Sequence, residues 1–126
     1  MDPWYVTGLV ETAGSFTYSR QSGSSIAIYF AIKLPQREEP LLRDLQRYFR
    51  GIGRIYAAGS TARYFRVTRH GELPTILAHF DRHPLRSQKQ KAYNIWRRMA
   101  ELKLEHHRRT PPARLEELAR ELTDTT

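Results

Sequence analysis

The sequence predicts an α+β fold: an antiparallel four-stranded sheet with helices packed on one face, followed by further C-terminal helices. Two observations carry this. A helix followed by a two-stranded hairpin occurs twice in succession, in the order αββαββααα. In each predicted strand, apolar residues alternate with polar ones, so one face is buried and the other is left to meet something polar.

The elements follow in order. Asp2-Pro3 forms a helix start, with a short acceptor at the N-cap and a proline at the first helical position, where no amide hydrogen is needed. The apolar pattern from Trp4 to Thr12 runs to Gly14, where the helix is expected to stop. Phe16 and Tyr18 alternate with Ser15, Thr17 and Ser19. After a turn at Gln21-Ser22-Gly23, Ile26, Ile28, Phe30, Ile32 and Leu34 alternate with Ser25, Ala27, Tyr29, Ala31 and Lys33. Glu38-Glu39-Pro40 opens a second helix, with Leu41, Leu42, Leu45, Tyr48 and Phe49 at helical spacing and an end at Gly51.

Arg54 to Ala58 and Arg63 to Thr68 form a second hairpin around Gly59-Ser60, with Ile55, Phe65 and Val67 inward. Helices are expected from Glu72 to Phe80 and from about Ser87 to Glu105, where Trp96 belongs to the core. Pro111-Pro112 separates a last amphipathic helix carrying Leu115, Leu118, Ala119 and Leu122. The expected organisation is one domain over 1–109 with a helical extension over 110–126.

Composition narrows the function. The chain has 126 residues, 40% of them hydrophobic, enough for one core. With no cysteine, disulfide frameworks, thiolate zinc sites and cysteine nucleophiles are excluded. No apolar run approaches the ~20 residues of a membrane helix, so the protein is expected to be soluble and intracellular, cytoplasmic and associated with the nucleoid. Lys and Arg outnumber Asp and Glu by 21 to 13, a net charge of +8, which favours a polyanionic partner over a small-molecule substrate.

Period-two geometry collects Ser15, Thr17, Ser19, Tyr29, Lys33, Arg54, Tyr56, Tyr64, Arg66 and Thr68 on the face opposite the core. It is rich in donors and carries no Asp or Glu, whereas a merely solvated sheet face normally mixes both charges. Such a face fits the ~12 Å major groove of duplex DNA. Gln21 and Arg63 are counted with it, and Arg86, Lys89 and Lys91 are candidates to flank the DNA backbone. His79, Asp81 and His83 have a spacing that metal ligands use, but no further ligand at suitable spacing accompanies them. His106-His107-Arg108-Arg109 is a basic run at a helix end.

The first helix contains Gly8, which costs about 1 kcal/mol relative to alanine in a helix interior and is usually explained by close approach of a second helix. Trp4, Thr7, Gly8, Glu11 and Thr12 are the expected contact face.

The stretch from Val6 to Gly14, followed by Ser15-Phe16, resembles the signature helix of the LAGLIDADG homing endonuclease family. Phe30-Ala31-Ile32 is similar to that family's second strand and Gly53-Arg54-Ile55-Tyr56 to its third. The run from Phe80 to Ser87 resembles the phrase that introduces its last large helix. The resemblance covers about Trp4 to Leu102. It implies a LAGLIDADG-like saddle in which the first helix pairs with a copy of itself. A single motif then implies a homodimer on a roughly palindromic duplex site.

The resemblance also implies that the last acid of the signature holds a divalent metal, and here that position is Ala13. A methyl group cannot ligate Mg²⁺. Glu11 is the earlier signature acid, rotated by about 200° on the helix, and is expected to serve the interface instead. The family's polar strand residue is matched by Leu34, and the lysine it carries beside the scissile phosphate is expected near Gln88, with Lys89 or Lys91 as substitutes. The leading expectation is therefore a catalytically inactive, sequence-specific DNA-binding homodimer without cofactor, serving as a transcriptional regulator. The alternatives are an active Mg²⁺-dependent site-specific endonuclease or nickase, and a maturase-type RNA splicing cofactor.

Overall fold

A computed structural model describes residues 1–21, 25–106 and 111–125. Ser22 and Gly23 of the expected turn, His107 to Arg109 of the basic run, and the expected boundary between 109 and 110 lie outside the described residues. Nine main elements are described: α1 (Pro3–Ala13), β1 (Gly14–Arg20), β2 (Ile26–Pro35), α2 (Glu39–Tyr48), β3 (Arg54–Ala58), β4 (Ala62–Val67), α3 (Leu73–Arg82), α4 (Lys89–His106) and α5 (Pro112–Asp124). Short 3₁₀ turns precede α2 and α3.

The four strands form one antiparallel sheet in the order β1-β2-β4-β3. Its inner face carries Phe16, Ile26, Ile28, Phe30, Ile32, Phe65 and Val67, each at most 3% exposed. Phe16 is the hub of the aromatic core, with its ring centroid 5.0 to 5.4 Å from those of Phe30, Phe80, Tyr93 and Trp96. Trp96 is fully buried, and its indole N–H is shared between the carbonyls of Thr17 (3.0 Å) and Tyr29 (3.1 Å), a directly paired couple on β1 and β2. The tryptophan thus fills the core and satisfies backbone acceptors of the sheet that forms the saddle.

Helix α1 starts as its sequence requires: Asp2 Oδ1 accepts from the amides of Trp4 (2.7 Å) and Tyr5 (3.3 Å), with Pro3 in the first position. Its end is sharper than a left-handed glycine cap. Gly14 is extended, with φ −96°, and already begins β1. Glycine is required there by space, since a Cβ would lie 2.6 Å from Val10 Cγ1. Helix α2 ends earlier than expected, at Tyr48, and the chain reverses through Arg50 and Gly51 at φ 65° and 82°.

Helix α5 packs on α4 of its own chain, burying Leu115, Leu118, Ala119 and Leu122 in the same apolar cluster as the sheet residues. It is also tied to β1, through a two-bonded Arg20–Glu116 ion pair (2.6 and 3.0 Å) and through Tyr18 and Thr123 hydroxyls 2.8 Å apart. Between α3 and α4, Asp81 accepts from Arg97 Nε (2.9 Å), Arg97 Nη2 (2.7 Å) and the Tyr93 hydroxyl (2.8 Å).

Candidate nucleic-acid interface

Cross-strand register assembles the outer face of the sheet. Ser15 lies beside Ala31, which lies beside Arg66, which lies beside Arg54; Thr17 pairs with Tyr29, and Lys33 with Tyr64, which pairs with Tyr56. None of the four strands contains an Asp or Glu. Ser15, Lys33, Arg54, Tyr56 and Thr68 are exposed, and Thr17, Ser19, Tyr29, Tyr64 and Arg66 are half-buried. Gln21 is exposed at the end of β1, where its amide donates to the Ser25 carbonyl.

At the centre of this face, the Arg66 guanidinium lies over three tyrosine rings, 4.4 Å from the centroid of Tyr29, 4.9 Å from Tyr64 and 5.4 Å from Tyr56. Ring quadrupoles hold the cation without neutralising it. Its Nε is buried and has no hydrogen-bond partner. Lys33 Nζ lies 5.8 Å from the Tyr64 centroid on the same surface. Arg54, Tyr56, Arg66, Thr68 and Arg69 line a cleft of about 240 Å³ beside this cluster, together with Glu72, whose carboxylate accepts from the Gly53 amide at 3.1 Å. The strands present here a positively charged, aromatic-backed surface rich in donors.

Arg63 and Thr7, both expected in the site, lie elsewhere. Arg63 shares the parity of Phe65 and Val67, so it faces the helix layer, where its Nε donates to Glu39 Oε1 at 3.1 Å. Thr7 is 4% exposed: its hydroxyl donates to the His83 carbonyl (2.8 Å) and sits 3.0 Å from His79 Nε2, so it joins α1 to α3 of the same chain rather than facing outward. The outward face of α1 is made instead by Trp4 (56% exposed), Tyr5 (52% exposed), Gly8 and Thr12. Among the described residues, nothing beyond its chain neighbours and the helix's own backbone comes within 4 Å of a Cβ built on Gly8. Tyr5 was legible in the sequence, since it precedes Gly8 and Thr12 at helical spacing.

The C-terminus of α1 is the other feature of the site. Glu11 accepts from the amides of Arg86 (2.9 Å) and Ser87 (3.2 Å) and from Ser87 Oγ (2.5 Å), fixing the turn that launches α4 rather than reaching outward for an interface. Partial burial opposes its ionisation, but these bonds and the nearby Lys89 charge outweigh that and hold its pKa below the usual glutamate value. Lys89, the first residue of α4, donates through Nζ to the carbonyls of Gly14 (2.6 Å) and Val10 (3.0 Å). Burial lowers its pKa, and Glu11 partly offsets the shift. Arg86 and Lys91 are exposed nearby. An adjoining cleft of about 470 Å³ is lined by Ser15, Thr17, Ser87, Gln88, Lys89 and Thr123 among others, none of them acidic.

This donor set does not fit a divalent ion: it offers the Ala13 methyl, two carbonyls already bonded to an ammonium, and no free carboxylate. Among the described residues no three His, Asp or Glu side chains come together as a metal-binding set. The spaced trio is split between two networks: His79 bonds with Thr7 and Tyr48, and Asp81 with Arg97 and Tyr93.

An antiparallel saddle with a basic outer face whose strands carry no acid, backed by helices and introduced by a helix that ends on a close-packed glycine, defines the homing-endonuclease class of α+β folds. The chain belongs to the LAGLIDADG endonuclease family, whose sequence model matches residues 6–100. It is 36% identical over 105 residues to an uncharacterized 50.9 kDa protein in ND4 intron 1 of Podospora anserina, covering 77% of this chain and 23% of that protein. It is 27% identical over 109 residues to a probable intron-encoded endonuclease 3 of Neurospora crassa, covering 81% of this chain and 20% of that one.

Among solved structures, I-SmaMI bound to uncleaveable DNA matches with a TM-score of 0.85 at 24% identity, over 94% of this chain and 44% of that one. I-GzeII in complex with its DNA target matches with a TM-score of 0.81 at 23% identity, over 99% and 43%. These likenesses establish the fold. The chain spans about a quarter or less of the length of these curated relatives and under half of these structural neighbours.

Proposed function

We propose that this protein binds duplex DNA sequence-specifically through the outer face of its sheet and does not cleave it. The observation that carries this reading is the pairing of an intact basic saddle, centred on Arg66, with an α1 terminus where Ala13 replaces the acid and Lys89 engages the Val10 and Gly14 carbonyls. Tyrosine-backed arginine, lysine and small hydroxyls supply donors for base edges and phosphates in the major groove. The DNA-bound state of the structural neighbours supports duplex DNA as the partner.

Two copies pair through α1 in this reading. Trp4, Tyr5 and Gly8 leave an apolar, close-approach face with no neighbour over the glycine among the described residues, and the structural neighbours are more than twice as long as one such unit. A dimer places two saddles about a dyad and selects a pseudo-palindrome, as a transcriptional regulator inside the cell would. No described helix is long and apolar enough to cross a membrane.

The endonuclease reading draws on the name of the Neurospora relative. It requires a carboxylate at the α1 terminus, and Glu11 is committed to Arg86 and Ser87. Selection of bound duplexes from a random pool tests the proposal: enrichment of a two-fold symmetric sequence supports it, and retention of no duplex rejects it.

A further inference from the structure

A guanidinium on a flexible stem meets phosphate oxygens as readily as base edges; to read one base it must be held in one plane before the duplex arrives. Arg66 is held in this way. In the sheet it stands between Ala31 of β2 and Arg54 of β3. Around its guanidinium, Tyr29 comes from β2, Tyr64 from β4 and Tyr56 from β3, so rings from three strands enclose one cation. Tyr64 and Tyr56, a directly paired couple, also stand with ring centroids 6.4 Å apart. Among the described residues no hydrogen bond or ion pair engages the guanidinium, and of its nitrogens only Nε is buried. Nη1 and Nη2 are left as an open, two-pronged donor.

The chemistry of that donor selects its target. A guanidinium has donors and no acceptor, so the amino groups that cytosine and adenine place in the major groove give it nothing to pair with. Guanine presents two acceptors there, O6 and N7, side by side, whereas adenine and thymine present one each. Arg54, exposed on the neighbouring strand, adds positive potential that favours the same acceptor edge. We propose that Arg66 reads a guanine of the bound duplex and that Tyr29, backed by Tyr64 and Tyr56, is the positioning residue that makes this reading specific. Arg54, which no tyrosine ring holds among the described residues, serves as a phosphate contact. This assignment rests on the reading that the sheet binds duplex DNA, and it names the base at the centre of the contact.

Duplexes are selected from a random pool with the wild-type protein and with Arg66→Ala. A guanine is expected at one position of the wild-type site, and the variant is expected to lose that preference while keeping the neighbouring ones. Placing 7-deazaguanine at that position removes the N7 acceptor and keeps the base pair; it is expected to weaken the wild type about fivefold and Arg66→Ala not at all. Tyr29→Leu, which removes the ring, is expected to cut the guanine preference about tenfold with little change in binding to duplexes that lack this guanine, and Tyr29→Phe to restore it. Arg54→Ala is expected to weaken all duplexes alike. Circular dichroism checks that each variant folds, and Tyr56→Leu substitutes for Tyr29→Leu should the latter fail to fold. Retention of no duplex by the wild type overturns the underlying reading and this assignment with it. Duplex binding that is indifferent to 7-deazaguanine, or a full guanine preference after loss of the ring, overturns this assignment alone.

Discussion

Arg54 and Arg66 stand directly opposite each other on β3 and β4, like charge facing like charge. Such a pair weakens a sheet unless something else stabilises it. The tyrosine rings under Arg66 supply part of that stabilisation, and an anion on the outer surface would supply more. Arg66→Ala is expected to relax preference at one base position of each half-site at a cost of ~1 to 3 kcal/mol. Binding to a library of single-position duplex variants measures this. A uniform loss across all sequences would identify Arg66 as a phosphate contact instead.

Gly8 presents bare backbone on the exposed side of α1, flanked by Trp4 and Tyr5. Since nothing among the described residues outside its own helix meets a Cβ there, Gly8→Leu is expected to leave the fold intact and yield monomers with weakened DNA binding. Sedimentation velocity reads the outcome, and a dimer that survives the substitution argues against α1 pairing.

His79 gives a pH dependence with a definite sign. Burial, and secondarily the nearby His83, push its pKa from 6.5 down to about 4. The single Thr7 hydroxyl proton goes to the His83 carbonyl, so His79 Nε2 carries the hydrogen that Thr7 accepts, and Nδ1 accepts from Tyr48 at 2.9 Å. The folded state therefore keeps the neutral ring while the unfolded chain takes up a proton first. This contribution to stability is complete above pH 6.5 and is lost as pH falls from 6.5 towards about 4. Urea unfolding across that window is expected to show falling stability in the wild type and a flatter profile in His79→Gln.

Trp96 joins the core to the sheet. Trp96→Phe is expected to cost ~1 to 3 kcal/mol through the unpaired carbonyls and lost volume, and Trp96→Ala ~3 to 5 kcal/mol. Urea midpoints measure both. A near-neutral Trp96→Ala would contradict the buried, doubly hydrogen-bonded position.

The fold was largely legible in the sequence because each strand has one buried side. Alternation of Ile26, Ile28, Phe30 and Ile32 with shorter or polar residues sets both the strand and its outward face. The same rule places Arg63 inward with Phe65, yet its charge makes it resemble a saddle residue; only the approach of Glu39 shows where it is satisfied. Thr7 has the small, polar character of an interface residue, and its inward direction depends on an acceptor 76 positions away. Lys89 was legible as a cation near the site, but its capture by Val10 and Gly14 depends on contacts spanning 75 or more positions, which no local pattern encodes. Glu11 was likewise visible as an acid, while its three donors belong to the far side of the chain.

The central claim is tested most directly by incubating the wild-type protein with a duplex it has selected, in Mg²⁺ and separately in Mn²⁺, and resolving both bound complexes and strand products. Retarded complexes with both strands whole are predicted. Strand scission that disappears in Glu11→Ala would contradict it.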